Sequence, residues 1–173
     1  MGVCGASGAP FKITCSAYGY TVVGKGTTSR LWNKVLREAD VYRVLSQAQG
    51  SAVPVFLGAI DLAKIYFLHG AGEIRHMLLM AWGGEPMSKI QYGEAFRQEI
   101  SRSNEEVRSL GVLHQDLRLD NILWNTELKR ALIIDFHRSQ LVRRRMKKRM
   151  RLPEQLSCGT EAHERKRLRA VYK

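Results

Sequence analysis

The sequence contains no stretch approaching the eighteen or so consecutive apolar residues that a membrane-crossing helix needs, so no transmembrane segment is expected. Its start lacks the basic region followed by a long apolar run that marks a secretory signal. Cysteine is scarce. Cys4, Cys15 and Cys158 are odd in number and widely spaced, which argues against a disulfide framework or a zinc site and for a reducing compartment. Acidic residues are also few, 16 Asp and Glu against 28 Lys and Arg, for a net charge of +12.

That imbalance is local. Twelve of the 28 basic residues fall between Leu141 and Lys173, against only three acids, Glu154, Glu161 and Glu164. Residues 142–173 therefore read as a basic tail, and the rest of the chain is nearly balanced. Its blocks, Arg143–Arg151 and Arg165–Arg169, suit a nuclear import receptor or a polyanion, or else a solvated tail without a specific role. No aromatic residues are interleaved in these blocks, so any nucleic-acid contact would be electrostatic. The expected location is nucleus or cytoplasm. At the other end, Met1-Gly2-Val3-Cys4-Gly5-Ala6 approaches a myristoylation signal, but Ala6 stands where that signal wants Ser or Thr. Residues 1–10 are read as a disordered leader.

Between these ends the pattern is α+β. Strands are expected at 11–14, 18–25, 53–60, 65–68 and 77–80, although Pro54 weakens the start of the third. Leu31, Val35, Ala39, Tyr42 and Leu45 recur at spacings of three and four and predict a helix. Tyr92, Phe96, Ile100, Val107 and Leu110 predict a second, over about 90–109. Short strands follow near 122–124 and 131–134.

The chemistry gathers around this last pair. Asp116, Asn121 and Asp135 are two acids and an amide near the ends of short apolar runs. Such oxygens can hold Mg²⁺ against phosphate, because magnesium needs only one or two carboxylates besides waters and phosphate oxygens. A further carboxylate can orient a hydroxyl nucleophile, and phosphoryl transfer asks mainly for such positioning and charge neutralisation.

His114-Gln115-Asp116-Leu117-Arg118-Leu119-Asp120-Asn121, followed by Ile134-Asp135-Phe136, resembles the catalytic loop and metal-binding motif of protein kinases. The chain is also similar to a group of short fungal protein-kinase-domain-like proteins. Gly19-Tyr20-Thr21, Gly24-Lys25-Gly26-Thr27 and Asp135-Phe136-His137-Arg138-Ser139 carry part of that likeness, which covers roughly residues 11 to 141.

The resemblance implies a protein-kinase-like two-lobe fold, with a small β-rich N-lobe over 11–84 and a truncated, helix-led C-lobe over 85–141. It implies ATP and Mg²⁺ as cofactors, with an unknown hydroxyl acceptor, protein or small molecule. Asp116 would be the catalytic aspartate, and Asn121 and Asp135 the metal ligands. Lys25 would contact nucleotide phosphates and Glu38 would pair with it. The alternatives for these two are a solvated turn lysine and a Glu38–Lys34 pair one helical turn apart. Met80-Ala81-Trp82 resembles the hinge, where the backbone near Ala81 and Trp82 would meet adenine and Met80 would guard the back of the pocket. Trp82 could equally be simple core.

The chain departs from the kinase pattern in four places. No convincing glycine-rich loop precedes Lys25, although Gly5 and Gly8 lie about where its later glycines would fall. Gln115 replaces the usual arginine, as in small-molecule kinases of the superfamily. His137 replaces the glycine of the metal-binding motif and is read as an ordinary polar turn residue, with metal ligation or proton carriage as the alternatives. Finally, no run of apolar helices follows Asp135. Either the lobe is minimal by nature or the gene product is truncated, and the second helix is expected to expose apolar surface to a partner. Two functions remain open: a working phosphotransferase, or a catalytically degenerate kinase-fold binding module (pseudokinase).

Overall fold

A computed structural model describes residues 8–90 and 93–142. The expected leader and basic tail, with Cys4, Cys158 and Tyr92, lie largely or wholly outside the described residues.

The first part is a four-stranded antiparallel sheet with strand order β1-β2-β4-β3. It comprises β1 (Ala9–Thr14), β2 (Thr21–Thr27), β3 (Phe56–Leu68) and β4 (Gly72–Ala81). The strand expected at 18–25 starts three residues later, because Cys15 and Gly19 close a turn through a backbone bond of 2.8 Å. The strands expected at 53–60 and 65–68 are one element. β3 pairs with β4 on both sides of an irregularity between Asp61 and Tyr66, and the bulge interrupts the alternation that would have marked a single strand.

Helix α1 (Trp32–Val44) crosses this sheet. Val35, Ala39 and Tyr42 are fully buried along one face, with Leu45 just beyond the helix end. Val35 and Ala39 pack with Leu78 of β4. Glu38 lies in the same stripe and is 1% exposed, so a charge has been taken into the core face.

The second part is led by α2 (Glu94–Ser109). Around it lie β5 (Glu85–Pro86), β6 (Val112–His114), β7 (Ile122–Asn125), β8 (Arg130–Ile133) and β9 (Ser139–Leu141). They form a β5-β7-β8 sheet and a β6-β9 pair. Phe96 and Ile100 of α2 pack on Met87, Ile122 and Ala131, while Val107 is fully buried. The expectation that α2 would expose apolar surface is not met among the described residues. The large exposed apolar side chains include instead Leu57, Ile60, Ile65, Tyr66 and Phe67, all on β3.

One core joins the two parts. Tyr42 and Leu45 meet Val53, Met80, Val107, Ile133 and Phe136. The Tyr42 ring stacks on Phe56 at 5.5 Å and meets Phe136 edge-on at 5.3 Å. Such pairs add about 0.5–1.5 kcal/mol each beyond area burial. The Ile133 N–H also donates to the Ala52 carbonyl at 2.8 Å, so β8 is tied to the loop that precedes β3. These contacts fix β2, α1 and β8 relative to one another; Lys25 lies on β2, Glu38 on α1 and Asp135 two residues after β8.

Candidate active site

Lys25 lies near the end of β2, an interior strand, so its backbone is held on both edges. Its Nζ donates to Glu38 Oε2 at 2.6 Å and to Asp135 Oδ1 at 2.5 Å. Strand, helix and turn are thereby joined at one ammonium. Lys34 is not the partner of Glu38.

The electrostatics follow from burial and pairing. Burial pulls the Lys25 ammonium down, but the Glu38 and Asp135 carboxylates outweigh it, and Lys25 lies above the usual lysine value. Burial pushes Glu38 up and prevails over the lowering by Lys25. Its second oxygen, Oε1, is buried with no hydrogen-bond partner among the described residues. Burial also pushes Asp135 up, but there Lys25 and then His137 prevail, and Asp135 lies below the usual carboxylate value.

Asp116 follows β6 and is placed by backbone bonds. Its N–H donates to His114 Nδ1 at 3.1 Å. Because Nδ1 accepts, the proton sits on Nε2, which donates to the Ile134 carbonyl at 3.0 Å. The buried His114 ring thus spans from the loop that carries Asp116 to the residue before Asp135. It meets Phe136 edge-on at 5.0 Å. Asn121 Nδ2 donates to the Asp116 carbonyl at 2.8 Å, which leaves its Oδ1 as the free end of the amide. The Ile134 N–H donates to the Asn121 carbonyl at 2.9 Å. These bonds hold Asp116, Asn121 and Asp135 in fixed mutual positions.

A cleft of about 470 Å³ opens over this group. Lys25, Glu38, Asp116, Asn121 and Asp135 all line it, with Gly8, Val23 and Met80. Five of the seven expected site residues therefore meet in one cavity. Ala81 and Trp82 are not among its lining residues. The Ala81 N–H is taken by the Val55 carbonyl at 2.8 Å, and Lys12 Nζ lies 4.1 Å from the centre of the Trp82 ring.

Arg118, His137 and Arg138, none of them an expected site residue, also line the cleft and lie against its acids. Arg118 Nε and Arg138 Nη1 lie 3.8 and 4.0 Å from opposite oxygens of Asp116. His137 also lines the cleft, and its Nδ1 is 2.9 Å from Asp135 Oδ1. For Arg118 and Arg138 the only sequence signal was adjacency to the motif.

Asn121 Oδ1 and Asp135 Oδ2 are an amide and a carboxylate oxygen, a donor pair that fits a hard divalent cation such as Mg²⁺. Neither oxygen has a hydrogen-bond partner among the described residues.

Residues 69–162 match the lipopolysaccharide kinase (Kdo/WaaP) family, a stretch that contains Asp116, Asn121 and Asp135 and follows Lys25 and Glu38. The chain is also similar to the Meiotic driver SPOK2 of Podospora anserina, 40% identical over 138 residues. That alignment covers 79% of this chain and 17% of the fungal protein, so the chain spans about a sixth of the relative's length. With more than half of its residues matched, the chain belongs to the lipopolysaccharide kinase (Kdo/WaaP) family.

Proposed function

We propose that this chain binds Mg-ATP in the cleft and transfers the γ-phosphoryl group to a hydroxyl acceptor. The observation that carries the reading is the single ammonium of Lys25 shared by Glu38 and Asp135, which brings a fixed positive charge to the metal-binding carboxylate.

In this reading Lys25 holds nucleotide phosphate oxygens, and Glu38 keeps its ammonium aimed into the cleft. Asn121 and Asp135 hold the magnesium ion. No group of three His, Cys, Asp or Glu side chains suited to a metal occurs among the described residues, so the remaining ligands would be phosphate oxygens and water. When bound, the cation supplies charge neutralisation to the phosphates. Asp116 accepts the proton of the acceptor hydroxyl as it attacks. Val23 and Met80, which line the cleft, would be the apolar walls against adenine.

The test is transfer or hydrolysis of the γ-phosphoryl group of Mg-ATP by the intact chain and by Asp116→Asn. Turnover that falls at least a hundredfold in the variant supports the reading. Equal rates in both would reject it.

A second reading is a pseudokinase, a binding module with the same cleft and no turnover. The observation that favours it is the pair of guanidinium groups, Arg118 and Arg138, beside opposite oxygens of Asp116. It predicts partner binding that Asp116→Asn leaves unchanged. In either case the basic tail is proposed to contact an import receptor or a polyanion, for a protein of nucleus or cytoplasm. Polyanion affinity that survives deletion of 142–173 would assign it elsewhere.

A further inference from the structure

Asp135 is one of two non-glycine residues with positive φ among those described, at φ 65° and ψ 61°. That left-handed conformation costs an L-residue roughly 1–2 kcal/mol, less for Asp than for most, and the surroundings must hold it. They do so from several sides. Phe136 is buried against Tyr42 and His114. Ser139 Oγ donates to the Phe136 carbonyl at 2.7 Å, and the Gln115 N–H to the Arg138 carbonyl at 2.9 Å. The turn Phe136–Arg138 is thereby fixed, and with it the root of the His137 side chain.

The two oxygens of Asp135 then differ sharply. Oδ1 receives Lys25 Nζ at 2.5 Å and His137 Nδ1 at 2.9 Å. Oδ2 has no partner among the described residues. The His137 ring is about three-quarters buried, so the contact is not a loose surface pairing. Lys25 reaches Oδ1 on a long, flexible side chain. A second donor to the same oxygen, from a ring rooted in the fixed turn, narrows the range of the carboxylate.

Resting on the proposed nucleotide site, we infer that His137 is a positioning residue. By holding Asp135 Oδ1 it presents Oδ2, with the Asn121 amide oxygen, to the magnesium ion. The ring does through a hydrogen bond what the glycine of related motifs leaves to backbone freedom. It makes the metal-binding carboxylate rigid where a glycine would let the turn move. Partners of this kind around a metal ligand are worth about 10–100-fold in metal affinity.

The experiment uses the full chain and a fluorescent ATP analogue, with nucleotide affinity measured as Mg²⁺ is titrated. His137→Ala is expected to raise the Mg²⁺ concentration for half-saturation about tenfold. Affinity for metal-free nucleotide should stay within about twofold, because Lys25 is untouched. His137→Asn, whose side-chain N–H can reach the same oxygen, should recover most of the loss. Far-UV circular dichroism and the thermal midpoint of each variant separate a folding defect from a metal defect.

Unchanged Mg²⁺ dependence in His137→Ala overturns the positioning role while leaving the nucleotide site intact. A wild-type preference for Co²⁺ or Ni²⁺ that His137→Ala abolishes also overturns it, since that result would make the ring a direct nitrogen ligand. A wild-type chain that binds no Mg-nucleotide overturns both this inference and the reading it rests on.

Discussion

Lys25 Nζ lies 2.5 Å from Asp135 Oδ1, although 110 positions separate the two residues in sequence. One belongs to the interior of the four-stranded sheet and the other to the turn after β8. Their contact joins the β-rich and helix-led parts at the floor of the cleft. Glu38, buried in the core-facing stripe of α1, completes the group and makes its integrity depend on all three elements.

Replacing Lys25 by Met should therefore destabilise the fold as well as remove the ammonium that Glu38 and Asp135 share. It would leave Glu38, 1% exposed, without its counter-charge. Breaking a buried pair by removing one partner costs about 3–5 kcal/mol, whereas removing both with apolar replacements costs much less. Urea unfolding of Lys25→Met and of Lys25→Met/Glu38→Leu should show the double variant recovering most of the loss.

The pH dependence of stability should carry the signature of this group. Asp135 titrates lower in the folded chain than its free value of 3.8, so the unfolded chain takes up its proton first. Its contribution is present above 3.8 and fades as pH falls below that value. Lys25 titrates above 10.5, so its contribution holds below that value and fades as pH rises beyond it. Glu38 acts in the opposite sense. Its carboxyl is raised above 4.5, and its ionisation makes the fold less stable as pH climbs through that region. The urea midpoint of wild type should exceed that of Asp135→Asn at pH 7, and the gap should close towards pH 3.

His114 should accept at Nδ1 and donate from Nε2. The ¹⁵N shifts of the ring report this directly, with Nδ1 in the unprotonated range. His114→Ala would strand the Asp116 N–H and the Ile134 carbonyl and open a gap beside Phe136. A loss of about 2–4 kcal/mol is expected in urea unfolding.

Gly84 should resist substitution. It has φ 107°, and a Cβ there would overlap the Trp124 carbonyl oxygen of β7. Gly84→Ala combines left-handed strain with a backbone clash, so a loss of about 3 kcal/mol or more is expected, read from soluble yield and thermal midpoint.

The polar residues of the site were legible because their chemistry depends on residue type and spacing. Asp116, Asn121 and Asp135 form a recognisable order, and Lys25 with Glu38 came from the resemblance to the kinase strand lysine and its helix glutamate. The fold was legible where periodicity was long, as along α1. It was not legible in β5, β6 and β9, which have two or three residues each and owe their form to partners distant in sequence. The bulge in β3 broke one strand into two apparent ones. His137 was read as a polar turn residue because its bond to Asp135 depends on a left-handed backbone angle that no local pattern announces. Arg130 shows the same limit: Glu99 and Glu106 on α2 hold it at 3.3 and 3.2 Å across elements the sequence could not register.

The central claim is that these five polar residues form a working nucleotide site, and calorimetric titration of the intact chain with Mg-ATP tests it most directly. The account predicts saturable binding that weakens at least tenfold when Mg²⁺ is removed or when Asp135 is replaced by Ala. Binding that is absent, or equal in wild type and Asp135→Ala, would contradict it.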